Sequence, residues 1–242
     1  MSPAPSVLRF PTVGSTMDLL HELAAEGAEQ GTVVIAGEQT SGRGSRGRAW
    51  QSPPGGLWLS TLYRPGMPAG VELLGLRVGL TVAEAVERFA PGLRLAIKWP
   101  NDLMLGDRKL GGVLCEARWQ GETLAWIVAG VGLNVANGVP PSLAASAARL
   151  ADRLPDIRPE ALEARVTAGL RALDPSGDRL RPAEFAALRE RDWLRGRQLL
   201  APVAGQADGL AEDGTLLVRD SSGAVRGVRA GTVQVAQPSF TP

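Results

Sequence analysis

Apolar positions along the chain recur with two different periods. Ser15-Thr16-Met17-Asp18 has the Ser-x-x-acid form of a capping box, and Leu19, Leu20, Leu23 and Ala24 follow at helical spacing. A helix from about Thr16 to Glu26 is expected. Thr32 to Ala36 is short, β-branched and apolar, and Leu57 to Tyr63 alternates large with small or polar residues, so both read as strands. Val71 to Ala90 reads as a helix despite Gly75 and Gly79, with Glu84 and Arg88 paired one turn apart. Leu93 to Lys98 predicts a strand that Pro100 stops. Gly112 to Trp119 and Thr123 to Val135 predict a hairpin turning at Gly121-Glu122.

From about Ser142 to Arg195 the composition turns to Ala, Leu, Arg and Glu broken by prolines, which predicts several helices. Beyond Gly196, short apolar runs at Gln198–Val203, Thr215–Val218, Val225–Val228 and Thr232–Val235 are spaced by Gly and Asp turns. That pattern predicts a small antiparallel barrel. Two domains are expected, 1–195 and 196–242.

Composition narrows the chemistry. Lys and Arg number 26 against 25 Asp and Glu, so no global basic field draws the chain onto nucleic acid or anionic lipid. Cys115 and His21 are the sole cysteine and histidine, which excludes an internal disulfide framework and a cysteine-based zinc site and disfavours a Ser-His-Asp triad. No signal-peptide pattern or membrane-length apolar run is present, so a cytoplasmic protein is expected. Cys115 reads as a small buried hydrophobe and His21 as a surface or half-buried helix residue.

Three stretches carry chemistry. Gly42-Arg43-Gly44-Ser45-Arg46-Gly47-Arg48, closed by Trp50, cannot pack a core. Its glycines let backbone amides approach an anion, its arginines offer planar donors, and Trp50 offers a stacking face. A solvated basic loop or an RNA contact is the other reading. It is not a Walker A loop, since no Gly-Lys-Ser/Thr follows. In Lys98-Trp99-Pro100-Asn101-Asp102 a lysine ends a buried strand, where an unpaired charge is costly and a bound carboxylate or phosphate would pair it. Asn101 and Asp102 would orient that lysine or help hold a magnesium-bound nucleotide; a surface lysine lying on its tryptophan is the alternative. Finally, Lys109 to Glu116 and Gly130-Val131-Gly132-Leu133-Asn134 place glycines inside strands, where a ligand or a neighbouring strand comes close.

Taken together these stretches resemble the biotin protein ligases. The family pattern Gly-Arg-Gly-Arg-x-Gly-Arg-x-Trp fits residues 42–50 at all but one fixed place. Lys-Trp-Pro-Asn-Asp fits 98–102, Lys-x-x-Gly-x-Leu-x-Glu fits 109–116, and Gly-x-Gly-x-Asn fits 130–134. The resemblance implies an α+β fold: a mixed sheet flanked by helices, of the class II aminoacyl-tRNA synthetase-like type, with a C-terminal SH3-like barrel. It implies ATP-dependent formation of biotinoyl-AMP, with Mg²⁺ accompanying ATP, then transfer to a lysine of the biotin carboxyl carrier protein of acetyl-CoA carboxylase. No metal ligand of the protein itself is assigned.

By the same resemblance Lys98 and Arg43 are the expected catalytic residues. Ser15, Thr16, Met17, Gln39, Gly42, Arg43, Gly44, Ser45, Lys98, Gly112, Gly130 and Gly132 would contact biotin. Arg43, Ser45, Arg46, Arg48, Trp50, Lys98, Asn101, Asp102 and Asn134 would serve the nucleotide. Gly111, Gly112, Gly130 and Gly132 would let biotin lie flat on the sheet. Two places depart from the family: Met17 stands for an Asn, and Ser45 for an Arg, which removes a charge over the phosphate and predicts looser retention of biotinoyl-AMP. With the Ser-Thr pair at residue 15, no DNA-binding segment is expected, nor a membrane partner; a homodimer is compatible. The alternatives are a lipoate or octanoate ligase and a non-enzymatic RNA-binding module.

Overall fold

A computed structural model describes residues 5–65 and 70–236. Its principal sheet has seven strands: β1 (Val7–Val13), β2 (Val33–Gln39), β3 (Leu57–Tyr63), β4 (Ala96–Lys98), β5 (Asp102–Leu105), β6 (Arg108–Gln120) and β7 (Thr123–Leu133). They lie in the order β1-β2-β3-β7-β6-β5-β4, with β1 parallel to β2 and every other pair antiparallel. The fold is the expected mixed sheet with flanking helices.

Sheet alternation divides the core. Leu57, Leu59, Ile127, Val131 and Leu133 face helices α2 (Val71–Phe89) and α3 (Glu160–Ala172), together with Leu74, Val78, Val82, Val86, Leu162 and Val166. On the opposite face, Val34, Leu62 and Val128 pack against Met17, Leu20 and Ala24 of α1 (Thr16–Ala25). Helix α1 is short, so it covers only part of that face, and the rest of the face is open. Ser15 caps α1 by accepting from the backbone N–H groups of Met17 and Asp18 at 3.2 and 3.4 Å.

The region expected to be helical between 142 and 195 holds α3, α4 (Pro182–Glu190) and two single 3-10 turns. Buried Arg77 of α2 binds this region. Its guanidinium reaches Glu184 at 3.3 Å and donates to the carbonyls of Ser176 and Arg179 at 2.7 and 2.8 Å.

The second sheet comprises β8 (Gln198–Ala201), β9 (Gly205–Leu210), β10 (Leu216–Arg219), β11 (Val225–Val228) and β12 (Gln234–Val235), all antiparallel. Trp99 joins the two sheets: its indole is buried and donates to the Gly214 carbonyl at 2.9 Å. Strands β1, β5 and β9 were not expected. β1 carries Pro11 and lies at a sheet edge, β5 is four residues long, and β9 buries Gly205, Ala207 and Gly209 at inward positions where the pattern has no large apolar residue to show. Among the described residues no helix is long and apolar enough to cross a membrane.

Candidate active site

One row across the sheet builds the floor of the open face. Lys98 on β4 pairs with Asp102 on β5, Asp102 with Gly112 on β6, and Gly112 with Gly132 on β7. Directly opposed residues share a face, so all four look into the same space. Lys98 therefore points into the cleft while Trp99 turns the other way into the core. The next row pairs Leu114 with Gly130 and Gly130 with Ser60.

Above this floor is a cleft of about 530 Å³. Ser15, Thr16, Met17, Gln39, Arg43, Gly44, Ser45, Arg48, Trp50, Lys98, Asn101, Asp102, Gly112, Gly130, Gly132 and Asn134 all line it. Segments far apart in the chain are thus brought to one site. Three expected residues are not in its wall. Gly42 is buried at the base of the loop, where a β-carbon would stand 2.4 Å from the Trp50 carbonyl oxygen. Arg46 is exposed at the loop tip, with φ at 62°. Gly111 faces away, and a β-carbon there would meet the Gly132 carbonyl at 2.6 Å, so close strand packing accounts for it.

Residues 42–50 form a small hairpin. The Gly44 N–H donates to the Arg48 carbonyl at 2.7 Å and the Trp50 N–H to the Gly42 carbonyl at 2.8 Å. The hairpin lays Trp50 on Gly132, where a β-carbon would lie 2.5 Å from the indole Nε1. Met17 similarly covers Gly130, its sulfur 2.7 Å from where a β-carbon would be. Lys109 lies beside Gly112, with its ammonium 5.0 Å from the Trp50 ring centre. The bare glycine floor expected for a flat ligand is therefore dressed with side chains: glycine is needed at 130 and 132 to seat Met17 and Trp50.

The polar end of the cleft is a closed network. Thr16 gives its backbone N–H and hydroxyl to the Gln39 side-chain oxygen at 2.9 and 3.0 Å, and its hydroxyl also meets Ser60 at 2.8 Å. Gln39 donates to Ser52 at 2.8 Å. Asn134 accepts from Asn137 at 3.1 Å.

Charges in the wall are paired unequally. Asp102 is taken by Lys109 at 2.5 Å, and Asn101 donates to the Val113 carbonyl at 2.6 Å. Neither orients Lys98 by direct contact, contrary to expectation. Arg43 is taken by Asp18 at 2.7 Å and Glu116 at 3.1 Å. Arg48 folds onto Ser45, donating to its hydroxyl at 3.1 Å. Among the described residues no carboxylate lies within 4.0 Å of Lys98. Burial pushes the Lys98 ammonium below its ordinary range; Asp102 opposes this, while Lys109, Arg197 and Arg48 add to it. A cation held this way is stabilised by an arriving anion.

Sequence reasoning gave no site role to Lys109, Asn137 or Trp193, all of which line the cleft. Lys109 opens a stretch already singled out, so a signal existed. Trp193 had none: it is brought to Lys98 because the Ile97 N–H donates to the Arg191 carbonyl at 2.6 Å and the Trp193 N–H to the Ile97 carbonyl at 3.0 Å. Burial pushes the Cys115 thiol up to about 12, which leaves it protonated and unreactive at neutral pH.

Residues 10–134, more than half of the chain, match the sequence profile of the Biotin/lipoate A/B protein ligase family. The chain belongs to this family. Among curated biotin/lipoate-type relatives, the Bifunctional ligase/repressor BirA of Bacillus spizizenii is 37% identical over 125 residues, 51% of this chain and 38% of that protein. The Biotin--[acetyl-CoA-carboxylase] ligase of Paracoccus denitrificans is 36% identical over 118 residues, 48% of this chain and 49% of that protein. The chain therefore matches less than half the length of these two relatives. The biotin protein ligase of Aquifex aeolicus, solved with biotin and ATP, superposes with a TM-score of 0.78 at 25% identity, over 96% of this chain and 99% of that one.

Proposed function

We propose that the chain is an ATP-dependent biotin protein ligase. In the first step a biotin carboxylate oxygen attacks the α-phosphorus of ATP, forming biotinoyl-AMP and releasing pyrophosphate. In the second a lysine amine of a carrier protein attacks the acyl carbon, forming the amide and releasing AMP. The observation that carries this reading is Lys98, with no carboxylate of the described residues within 4.0 Å, at the end of a glycine-bearing floor, in a cleft that also holds Trp50 and Arg48.

Two anions must meet, so catalysis needs cations that offset their repulsion and the charge developing on phosphorus. Lys98 bridges the carboxylate and the α-phosphate, and Arg48, which pairs with no carboxylate among the described residues, adds a second positive charge. Trp50 and Asn134 receive the nucleotide, while Ser15, Thr16 and Gln39 receive the head of the acid. Met17 makes one side of that subsite apolar. No protein nucleophile is required, in keeping with a protonated Cys115.

Magnesium belongs to this chemistry as a companion of the triphosphate, whose charge it would screen. The residues do not build a site of their own for it: among the described residues no three His, Cys, Asp or Glu side chains gather, and Asp102 is bound by Lys109. The carrier of acetyl-CoA carboxylase is the proposed acceptor, in line with the name of the Paracoccus relative.

The test is conversion of ATP to AMP and pyrophosphate with biotin, lipoate or octanoate, followed by transfer to a carboxyl carrier domain. Biotin-dependent turnover and transfer are expected. Turnover with lipoate or octanoate alone overturns the reading in favour of the family's other branch, and RNA binding without turnover overturns enzyme function.

A further inference from the structure

The charges around Arg43 do not suit a residue whose main task is to meet an anion. Its Nη2 is 2.7 Å from Asp18 Oδ1 on α1 and 3.1 Å from Glu116 Oε2 on β6. Asp18, at the position that would complete the capping box, gives its carboxylate to the hairpin. Glu116 Oε2 is also 3.2 Å from His21 Nε2 and 3.7 Å from Arg118. Trp126 donates its indole N–H to His21 Nδ1 at 3.0 Å, so Nδ1 is the acceptor and Nε2 carries the proton toward Glu116. Burial holds His21 below its usual range, with Arg118 and Arg43 adding to this and Glu116 opposing it. A neutral imidazole aims the carboxylate without adding charge, leaving Glu116 to pair with Arg43 and Arg118.

We propose that Asp18 and Glu116 are positioning residues, the receiving half of an ionic latch that holds the 42–50 hairpin over the cleft through Arg43, with His21 orienting Glu116. The proposal takes its substrates from the ligase reading above. The hairpin needs such a tie. Its internal backbone bonds close it on itself, and its three glycines make ordering entropically costly. Trp50 on Gly132 holds one arm to the body; Arg43 holds the other. With two carboxylates on its guanidinium, Arg43 adds little net positive charge at the reacting phosphate. It keeps one buried donor, Nε, without a partner, and a ligand acceptor would satisfy it.

A double-mutant cycle tests the latch. Biotin-dependent pyrophosphate release is measured for the natural protein, Asp18→Asn, Glu116→Gln, Arg43→Gln and each carboxylate variant combined with Arg43→Gln. Amide hydrogen exchange over residues 43–49 is measured on the same proteins without ligand. Each carboxylate variant is expected to raise KM for biotin about tenfold, with a smaller loss in kcat, and to speed hairpin exchange. In the Arg43→Gln background the same substitutions should change KM by less than about twofold, because their effect passes through that arginine. Additive effects, a KM that falls when a carboxylate is removed, or unchanged hairpin exchange would overturn the latch. If the natural protein shows no biotin-dependent turnover, the ligase reading fails, while hairpin exchange still decides the latch.

Discussion

Lys98 Nζ lies 5.4 Å from the centre of the Trp193 ring, so an indole from the segment joining the two sheets covers the ammonium at the end of the cleft. The same ring is stacked by Arg197 at 3.7 Å. Removing the ammonium tests its role directly. Lys98→Ala should lower the single-turnover rate of adenylation by about 10²–10³-fold, the loss typical of a transition-state donor. Rapid-quench measurement of biotinoyl-AMP formation checks it, and a near-native rate would remove Lys98 from the chemistry.

Burial also sets a pH dependence. Because Lys98 is held below the ordinary lysine range, the folded protein binds fewer protons than the unfolded chain between that lowered value and about 10.4. This group's contribution to stability therefore rises with pH across that window. Activity runs the other way, since the ammonium is the working form. The alkaline limb of kcat/KM for adenylation should fall below the ordinary lysine range, and Trp193→Ala should move it upward by readmitting water. A limb that does not move in that variant would separate Trp193 from the electrostatics of Lys98.

Gly132 and Trp50 make a second pair. A β-carbon at 132 would stand 2.5 Å from the indole nitrogen, and the ring has a backbone-pinned hairpin behind it. Gly132→Ala should displace the ring and weaken ATP binding by about tenfold or more, with a smaller effect on biotin. Titration calorimetry with each ligand measures the difference; equal losses for both would argue against a nucleotide role for Trp50.

Ser45 carries no charge but accepts from Arg48 at 3.1 Å. Ser45→Arg should slow release of biotinoyl-AMP by about tenfold, the effect of one added charge-assisted hydrogen bond. Release rates measured by trapping the free intermediate decide the matter, and identical rates reject the idea.

Arg77 bears on stability rather than chemistry. It is 1% exposed and spans Glu184 and the carbonyls of the 175–179 segment. Arg77→Met leaves those carbonyls without their donor and Glu184 with Arg181 alone, and should cost about 3–5 kcal/mol in urea denaturation. A loss near 0.5 kcal/mol would mean that water replaces the lost bonds.

Much of the local structure was legible because its causes are local. Alternation marked β3, helical spacing and a capping serine marked α1, and proline after Lys98 marked the end of β4. The chemistry-bearing stretches were legible too, since a lysine ending a buried strand and an Arg/Gly loop closed by a tryptophan are hard to account for by core packing, whereas the strand glycines alone fitted close strand packing equally well. Strand register then turned that list into a place, by setting Lys98, Asp102, Gly112 and Gly132 in one row.

Partnership was decided only by the folded chain. Arg43 and Glu116 are 73 residues apart, and Trp193 reaches Lys98 by pairing with the back of its strand. The amino-acid order determined which cations the chain carries and which segments present them. Tertiary packing determined which stay uncompensated, because attraction between charges depends on distance and desolvation in space, and separation along the backbone constrains neither.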